Sequence, residues 1–327
     1  MTASRPRVYV AQPLFADVLA PLAEQAELVV EPVEGRRDAG ELANGLREAD
    51  AAIVTIAERV DAAAIAGAGR LRIVANVGVG YDNLDLAALQ AAGIAASNTP
   101  DVLTDTVADF AFALLLGVGR RVTEAERWLR DGRWQRWSFD RLLGRDAHGA
   151  TLGILGMGRI GQAIAERARG FRMTVLYHNR RALPPALEQA CGARRVEQDE
   201  LLRRADFLIV AVPYAPATHH LIDAAALARM KPDAFLINIA RGGVVDDAAL
   251  AAALAAGRLG GAALDVFEGE PAVHPGLLTA RNVVLTPHIA SASRDTRRAM
   301  VAMAVANVLA ALGHGPHAGR PPNLIGG

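Results

Sequence analysis

The sequence is poor in the features that mark several large classes of protein. It has one cysteine among 327 residues, which excludes an intramolecular disulfide framework and a cysteine-cluster metal site and favours a reducing compartment. Aromatic residues make up only 5%, so Ala, Val, Leu and Ile must build the core. The 35 basic and 35 acidic side chains cancel, which gives no support to a protein that binds nucleic acid or a membrane surface.

Long hydrophobic runs are also missing. The apolar stretches are short: Ala111–Gly119, for example, has nine residues, whereas a membrane-spanning helix needs about 20. The segment Val8–Ala26 is interrupted by polar residues and proline, so it predicts a strand and an amphipathic helix rather than a signal peptide. We therefore expect a soluble cytoplasmic protein.

What the chain does contain is ample material for a core. Hydrophobic residues make up 52% and the mean hydropathy is +0.19, which argues against disorder, and the length predicts two domains. Short β-rich runs alternate with helical patterns, an order typical of an α/β protein with parallel sheets covered by helices. Six such runs follow from Thr151 onward, the number expected for a doubly wound dinucleotide-binding sheet of the Rossmann type.

The runs predict two sets of strands and two long helices. The strands of the first set are Arg7–Ala11, Glu27–Glu31, Ala51–Ile56, Arg72–Asn76 and Ile94–Ser97. The strands of the second set are Thr151–Leu155, Met173–Tyr177, Asp206–Val212, Ala234–Ile239, Gly261–Val266 and Asn282–Thr286. The helices are predicted over Asp101–Arg121 and Ser291–Leu312, and the Arg- and Trp-rich segment Trp128–Gly149 is expected to be an extended connection.

A glycine-rich turn follows the first strand of the second set. The motif Gly156–Gly161 (GMGRIG) stands between that strand and an Ala-rich helix. Gly156 permits the tight turn, Gly158 lets backbone N–H groups approach a pyrophosphate, and Gly161 lets the helix pack close to the strand. The N-terminus of the helix adds unpaired donors and a partial positive charge. The motif predicts dinucleotide binding rather than a plain turn between strand and helix.

The end of the next strand indicates which dinucleotide is bound. A domain selective for NAD usually has Asp or Glu about 20 residues after the turn, where the carboxylate binds the ribose hydroxyls. Here the strand ends in His178-Asn179-Arg180-Arg181, without a carboxylate. Arginine binds a 2′-phosphate with several charged hydrogen bonds, whereas a carboxylate would repel it. We predict a preference for NADPH, with NAD possible, and with Asn179, Arg180 and Arg181 as contacts; the alternative is a solvated basic loop.

Three more strand ends of the second set carry polar groups, in the segments Asn238–Gly243, Asp265–Pro271 and Thr286–Ser291. Ligands of doubly wound sheets lie at the carboxyl ends of strands, so these segments should face one cleft. Together with Asn76–Asp85, Asn98–Thr104 and the glycine turn, they closely resemble the D-isomer-specific 2-hydroxyacid dehydrogenases over nearly the whole chain. The short length and the NADPH-like strand end are most similar to the glyoxylate/hydroxypyruvate reductases and the 2-ketogluconate reductases of that family.

The resemblance implies that Arg241, Glu270 and His288 form the catalytic trio. Reduction of a 2-keto acid needs a hydride at C2 and a proton on the carbonyl oxygen. His288 can donate that proton near neutral pH, because an unperturbed imidazole titrates around pH 6.5. Glu270 would hold the ring and stabilise its protonated form. Arg241 would bind the substrate carboxylate and polarise the keto oxygen as a fixed charge.

The resemblance also implies the remaining contacts. The substrate would be bound by Arg241, His288 and the backbone N–H groups of Val77, Gly78 and Val79. The cofactor would be bound by Thr104, Gly156, Gly158, Arg159, Ile160, Gly161, Asn179, Arg180, Arg181, Val212, Pro213, Thr218, Ile239, Ala240 and Asp265. Asp265 is expected at the nicotinamide end, whereas Thr218 can equally be only a loop residue. The remaining histidines show no metal-ligand spacing, so we predict no metal.

These observations together predict a two-domain enzyme. A flavodoxin-like substrate domain would comprise residues 1–99 and 290–327, and the cofactor domain residues 100–289, with the substrate between them. The expected activity is reduction of glyoxylate or hydroxypyruvate to the D-2-hydroxy acid with NADPH, in a homodimer. A 2-ketogluconate reductase and a dinucleotide-sensing regulatory protein on the same fold remain alternatives. A formate-type dehydrogenase is disfavoured, since it has an amide where this chain has Glu270.

Overall fold

The computed structural model describes residues 5–35 and 37–326, and the chain divides into two compact units. Unit 1 comprises residues 1–103 and 292–327, and unit 2 comprises residues 104–291. The boundaries expected from the sequence, at 99/100 and 289/290, lie four and two residues before these. The helix predicted from Asp101 begins only at Thr104, which is where the second unit begins.

Unit 1 is built on a parallel sheet with the strand order β2-β1-β3-β4-β5, the order of flavodoxin-like folds. Its first elements are β1 (Arg7–Val10), α1 (Ala16–Gln25), β2 (Glu27–Val30), α2 (Ala39–Arg47), β3 (Ala51–Thr55), β4 (Ile73–Val77), α3 (Leu86–Ala91) and β5 (Ala95–Ser97). The central strands β3 and β4 are apolar and buried on both faces, as expected of parallel strands covered by helices.

Unit 2 is built on a parallel sheet with the order β12-β11-β10-β9-β6-β7-β8. Its elements are α4 (Thr104–Gly119), α5 (Val122–Arg130), β6 (Thr151–Leu155), α6 (Arg159–Gly170), β7 (Thr174–His178), α7 (Pro185–Cys191), β8 (Ala193–Arg195), α8 (Gln198–Arg204), β9 (Phe207–Val210), a 3₁₀ turn (Pro216–Thr218), α9 (Ala224–Arg229), β10 (Phe235–Asn238), α10 (Asp247–Ala255), β11 (Gly261–Leu264), α11 (Pro275–Thr279) and β12 (Val283–Leu285). The last helix, α12 (Arg294–Ala311), returns to unit 1.

The strand order of unit 2 reverses between β6 and β9, which are neighbours in the sheet although β7 and β8 lie between them in sequence. This reversal is the topological switch point of a doubly wound sheet, where ligands bind at the carboxyl ends of the strands. The glycine turn follows β6 at that point. The prediction of an α/β fold with a flavodoxin-like and a Rossmann-type sheet is therefore confirmed.

Two elements of unit 2 were not predicted. The strand β8 makes the sheet of the described residues seven-stranded rather than six-stranded. It has three residues and two of them are arginines, so neither its length nor its polarity indicates a strand. The segment Trp128–Gly149 was expected to be extended throughout, but Trp128 lies in the helix α5. The two long helices are also shorter than predicted, each beginning three residues later, at Thr104 and Arg294.

Within the described part of the chain, none of the helices combines the length and the apolar composition needed to span a bilayer. The cytoplasmic location stays a prediction.

Candidate active site

The strands β10, β11 and β12 lie side by side and run parallel, so their carboxyl ends meet at one edge of the sheet. Arg241 follows β10, Asp265 and Glu270 follow β11, and His288 follows β12. Sheet register alone thus brings together Arg241, Glu270 and His288, which are at least 18 residues apart in sequence. The edge is the one expected to hold a ligand.

Glu270 and His288 form a hydrogen-bonded pair. The His288 Nδ1 atom lies 2.9 Å from Glu270 Oε2. Because a carboxylate can only accept, Nδ1 carries the hydrogen and the opposite nitrogen, Nε2, remains for another partner. The other Glu270 oxygen accepts the backbone N–H of Phe267 at 2.9 Å, which holds the carboxylate in place. The geometry is that of an imidazole oriented by an acid.

The carboxyl group of Glu270 is kept ionised by its surroundings. Burial by itself would raise its pKa. The hydrogen bond and charge of His288, the N–H of Phe267 and the charge of Arg241 together outweigh burial and hold the pKa of Glu270 below its ordinary value. The charge of Arg241 therefore acts on the acid that orients His288.

Arg241 begins a turn that packs against the loop of Glu270. A Cβ atom built on the next residue, Gly242, would stand 1.8 Å from the carbonyl oxygen of Phe267. Only glycine allows the two loops to approach this closely. The Arg241 Nη1 atom donates to the carbonyl of Ala240 at 3.0 Å, and the Asn238 side chain accepts the N–H of Ala240 at 3.1 Å. The turn that carries Arg241 is thus braced on both sides.

Asp265 anchors the loop that carries His288. Its carboxylate accepts hydrogen bonds from the Thr286 hydroxyl at 2.7 Å and from the N–H groups of Ile289 and Ala290 at 2.8 Å, and its carbonyl accepts the N–H of His288 at 2.8 Å. His288 has a φ of +54°, a left-handed conformation that costs a residue with a side chain about 1–2 kcal/mol. The four bonds to Asp265 maintain that conformation.

The side chain of Asp265 is completely buried. Its expected position at the nicotinamide end stays a prediction. Burial raises its pKa, although its hydrogen bonds partly oppose the rise. Three residues of the His288 loop occupy its oxygens, which makes it a support for His288 in this structure.

The glycine turn has the geometry its motif indicates. Gly156 has a φ of +107°, which a residue with a side chain rarely adopts. A Cβ on Gly161 would lie 2.3 Å from the carbonyl oxygen of Gly156, so the helix α6 can pack this close to the strand only through glycine. A Cβ on Gly158, the N-cap of α6, would meet none of the described atoms within 4 Å. There is therefore room beside the N-cap of α6, just before Arg159 and Ile160, as the predicted binding of a pyrophosphate at this helix end requires.

The loop after β7 is tied to the glycine turn. The Asn179 Oδ1 atom accepts the N–H of Met157 at 2.7 Å, and the carbonyl of His178 accepts the N–H of Gly156 at 3.1 Å. Arg180 and Arg181 are exposed. Their position beside the turn is where a dinucleotide-binding domain holds the adenosine ribose.

The other predicted cofactor residues of unit 2 differ in their burial and in their hydrogen bonds. Thr104 is the first residue of α4, and Val212 and Pro213 follow β9 near the switch point. Ile239 and Ala240, directly after β10, are buried. The Thr218 hydroxyl donates to the carbonyl of Pro213 at 2.9 Å and accepts the N–H of Ala215 at 2.8 Å. Of the two interpretations of Thr218, its contacts favour the loop-closing one.

In unit 1, the segment Val77–Val79 forms a braced turn at the end of β4. The side chain of Asn98 donates to the carbonyl of Val79 at 2.8 Å, and Thr99 N–H donates to the carbonyl of Gly78 at 3.0 Å. The N–H of Gly78 donates to the carbonyl of Asn76 at 3.0 Å. A substrate carboxylate would therefore share the Gly78 donor with Asn76 rather than find it free.

A cluster of two histidines and a glutamate lies beside the Arg241 turn. His220 Nε2 is 2.9 Å from Glu268 Oε1, and His219 Nδ1 is 3.3 Å from the Tyr214 hydroxyl. The ligand atoms of His219, His220 and Glu268 lie within 4.8 Å of one another, a grouping that sequence spacing did not reveal. The two imidazoles are stacked 3.9 Å apart, however, and lone pairs that lie in stacked planes do not converge on one ion. The prediction that no metal binds stays a prediction.

The fold and the site define a class of protein. A doubly wound sheet with a glycine turn at its switch point, and an acid-oriented imidazole and an arginine at neighbouring strand ends, define a dinucleotide-dependent oxidoreductase.

Comparison with known proteins identifies the family. Residues 112–290 match the family described as D-isomer specific 2-hydroxyacid dehydrogenase, NAD binding domain. The chain is 44% identical over 310 residues to a glyoxylate reductase of Thermococcus kodakarensis, which covers 94% of this chain and 93% of the relative. It is therefore a member of the D-isomer-specific 2-hydroxyacid dehydrogenase family. It is an oxidoreductase that acts on CH–OH donors with a nicotinamide dinucleotide, and the predicted resemblance is confirmed.

Solved structures agree. The TT0316 protein of Thermus thermophilus has a TM-score of 0.90 and 41% identity, with coverage of 98% of this chain and 99% of that one. An NADPH-dependent glyoxylate/hydroxypyruvate reductase of Sinorhizobium meliloti, in complex with NADP and malonate, has a TM-score of 0.87 and 38% identity, with coverage of 99% and 97%. These likenesses support reduction of a 2-keto acid as the activity of this chain.

Sequence reasoning missed two residues that support the site. Asp247 accepts the N–H of Glu268 at 2.9 Å and so holds the loop that leads to Glu270, 23 residues along the chain. Arg195 donates to the carbonyl of Asn179 through Nε and Nη2, both at 3.3 Å. Neither stands in a recognisable motif, and each contacts a loop more than 15 residues away in sequence, so no signal in the sequence pointed to them.

Proposed function

We propose that this enzyme reduces glyoxylate or hydroxypyruvate to the D-2-hydroxy acid with NADPH, and that His288 is the general acid. The observation that carries the proposal is the bond of His288 Nδ1 to the ionised Glu270, which leaves Nε2 as the proton donor. Both substrates are small 2-keto acids, and each offers a carboxylate beside the carbonyl that is reduced.

The roles of the residues follow from their chemistry. When bound, the reduced dinucleotide supplies the hydride that adds to C2 of the keto acid. His288 gives the proton from Nε2 to the carbonyl oxygen, so that the carbonyl becomes a hydroxyl and the imidazole becomes neutral. Glu270 stabilises the imidazolium before transfer and keeps the ring oriented. Arg241 binds the substrate carboxylate and polarises the keto oxygen, where negative charge develops. The Val77–Val79 turn is proposed as a second contact for the carboxylate.

The proposed preference for NADPH rests on the loop after β7. Asn179 replaces the carboxylate that would repel a 2′-phosphate, and the exposed Arg180 and Arg181 follow it. The glycine turn accepts the pyrophosphate of either dinucleotide, so the choice between them falls to this loop. The Sinorhizobium meliloti reductase, a relative of the same fold, is described as NADPH-dependent and is bound to NADP.

The proposed homodimer rests on an exposed apolar surface after α5. Trp134, Trp137 and Phe139 are exposed, and Phe139 is 84% accessible. Neighbouring exposed aromatic side chains mark association surfaces more often than monomer surfaces. Sedimentation equilibrium tests this directly, since a monomer at micromolar concentration would contradict the proposal.

The activity is tested by a panel of 2-keto acids that includes glyoxylate, hydroxypyruvate and 2-ketogluconate, each with NADPH and with NADH. We expect turnover of the two small acids, faster with NADPH than with NADH. The His288→Ala variant should lose a factor of about 10² or more in kcat, the scale of a general acid. Absence of turnover with every acid would favour a regulatory, dinucleotide-sensing protein. Near-normal turnover by the variant would refute the role of His288.

A further inference from the structure

The short edge strand β8 places an arginine beneath the loop proposed to select NADPH. Arg195, the last residue of β8, donates from both Nε and Nη2 to the backbone carbonyl of Asn179, at 3.3 Å each. Asn179 is the residue directly before Arg180 and Arg181. A forked, two-donor contact to one carbonyl fixes both the position and the direction of that peptide group.

Neighbouring residues fix the position of Arg195 in turn. Its backbone N–H donates to Glu188 Oε1 at 2.8 Å, and β8 pairs with β7, which ends in His178. The His178 ring is joined to the same edge by its contact with the carbonyl of Val196 at 2.9 Å. The base of the Asn179 loop is therefore held by β8 on one side and by the glycine turn, through Met157 N–H, on the other.

The positive charge of Arg195 remains effective. Its ion-pair partner, Glu197, lies 3.1 Å from Nη1 and has a side chain that is 73% exposed. Exposed ion pairs of this kind are weak, because solvent screens them. Arg195 thus adds a third basic residue to a loop region that already contains the exposed Arg180 and Arg181.

We propose that Arg195 is a specificity-determining positioning residue for NADPH. It holds the Asn179 carbonyl so that Arg180 and Arg181 are presented to the adenosine 2′-phosphate, and it adds a third positive charge to that site. This inference rests on the proposed NADPH preference. It goes beyond that preference, because it makes the discrimination between NADPH and NADH depend on a residue 14 positions after Arg181.

The test compares Arg195→Met and Arg195→Lys with a matched control, Arg194→Met. Arg194 is the preceding residue of β8, and its guanidinium instead meets Glu200 at 3.3 Å. For each variant, kcat/KM is measured with NADPH and with NADH. The affinities for 2′,5′-ADP and 5′-AMP, which differ only in the 2′-phosphate, are measured by calorimetry.

We expect Arg195→Met to lower kcat/KM with NADPH and the affinity for 2′,5′-ADP by roughly tenfold, the scale of one charged hydrogen-bonding group. The values with NADH and 5′-AMP should change less than about twofold, because these ligands lack the phosphate. Arg195→Lys should lose less than Arg195→Met, since it keeps the charge but not the fork. Arg194→Met should match the wild type.

Each outcome decides a separate point. Equal losses with both coenzymes, or no loss at all, in Arg195→Met would overturn the role of Arg195, and so would the same change in Arg194→Met. If Arg195→Met does not fold, the ratio of the two coenzymes in Arg195→Lys decides in the same way. A wild-type enzyme that prefers NADH and binds 5′-AMP as tightly as 2′,5′-ADP would refute the proposed coenzyme itself.

Discussion

Replacement of Glu270 by glutamine tests the central pair of the site with little change in shape. The amide oxygen of glutamine can still accept the N–H of Phe267, which Glu270 Oε1 accepts at 2.9 Å. The amide nitrogen then faces His288 Nδ1 where Oε2 stood at 2.9 Å. An amide nitrogen only donates, so the imidazole must present an unprotonated Nδ1 or lose the contact. Either way, the negative charge that stabilises the imidazolium is gone.

The magnitude follows from the strength of that contact. A hydrogen bond to a charged group contributes about 1.5–3 kcal/mol, and each 1.36 kcal/mol is a factor of ten. We therefore expect Glu270→Gln to lower the rate of keto-acid reduction at pH 7 by roughly 10- to 150-fold, because the charged hydrogen bond that orients the His288 ring is lost.

The assay follows the loss of nicotinamide absorbance between pH 5 and 9 under saturating coenzyme, together with a thermal unfolding curve. Glu268→Gln is the matched control, because Glu268 lies on the same loop but contacts His220 instead of His288. It should keep a rate and pH profile close to those of the wild type. A Glu270→Gln enzyme within twofold of the wild type, or an equal loss in the control, would refute the reasoning.

Two further changes test the turn and the buried charges of unit 2. Gly158→Ala should leave the free energy of unfolding within about 0.5 kcal/mol of the wild type, since the added methyl group meets no described atom within 4 Å. It should raise KM for both dinucleotides roughly tenfold, because the methyl group blocks the approach of the pyrophosphate. An unchanged KM would contradict this reasoning. Asp206→Asn should cost about 2–3 kcal/mol in urea unfolding at pH 7, because the Asp206 carboxylate is contacted at 2.8 Å by Arg145, Lys231 and the N–H of Thr151. Burial raises the pKa of Asp206, but these partners outweigh it and hold the pKa below its ordinary 3.8. The stabilisation by ionised Asp206 is thus fully present above pH 3.8 and is lost as the pH falls through the lower pKa of the folded state. The difference in unfolding free energy between Asp206→Asn and the wild type should therefore shrink in acid. A difference independent of pH would refute the role of the Asp206 charge.

The alternation of strands and helices was readable from the chain because parallel strands buried on both faces are continuous apolar runs. β9 and β11 are examples, and both were located within two residues. β8 escaped notice for the opposite reason. A short edge strand covers little of the core and can be polar, so Ala193–Arg195 carries no hydrophobic signal. The helix α5 was not predicted, although Val122, Ala125 and Leu129 recur at helical spacing, because its start was not separated from the segment beginning at Trp128.

The functional residues likewise divide into those with a local sequence signal and those without one. Glycines 156, 158 and 161 and the segments around Arg241, Glu270 and His288 are local patterns, each close to a strand end, and could be identified without coordinates. The support for these residues is not local. Asp265 reaches the His288 loop, Asp247 the Glu270 loop, and Arg195 the Asn179 loop, each across neighbouring strands or elements.

By itself, then, the chain's order of residues determined the α/β class, the dinucleotide turn and the identity of the candidate acid, base partner and arginine. These depend on backbone geometry and chemistry that a few consecutive residues carry. Only the tertiary structure showed that the buried Asp265 anchors the His288 loop, and that the arginine of β8 contacts the Asn179 loop. Contacts of that kind depend on strand register, which places residues far apart in sequence within hydrogen-bonding distance.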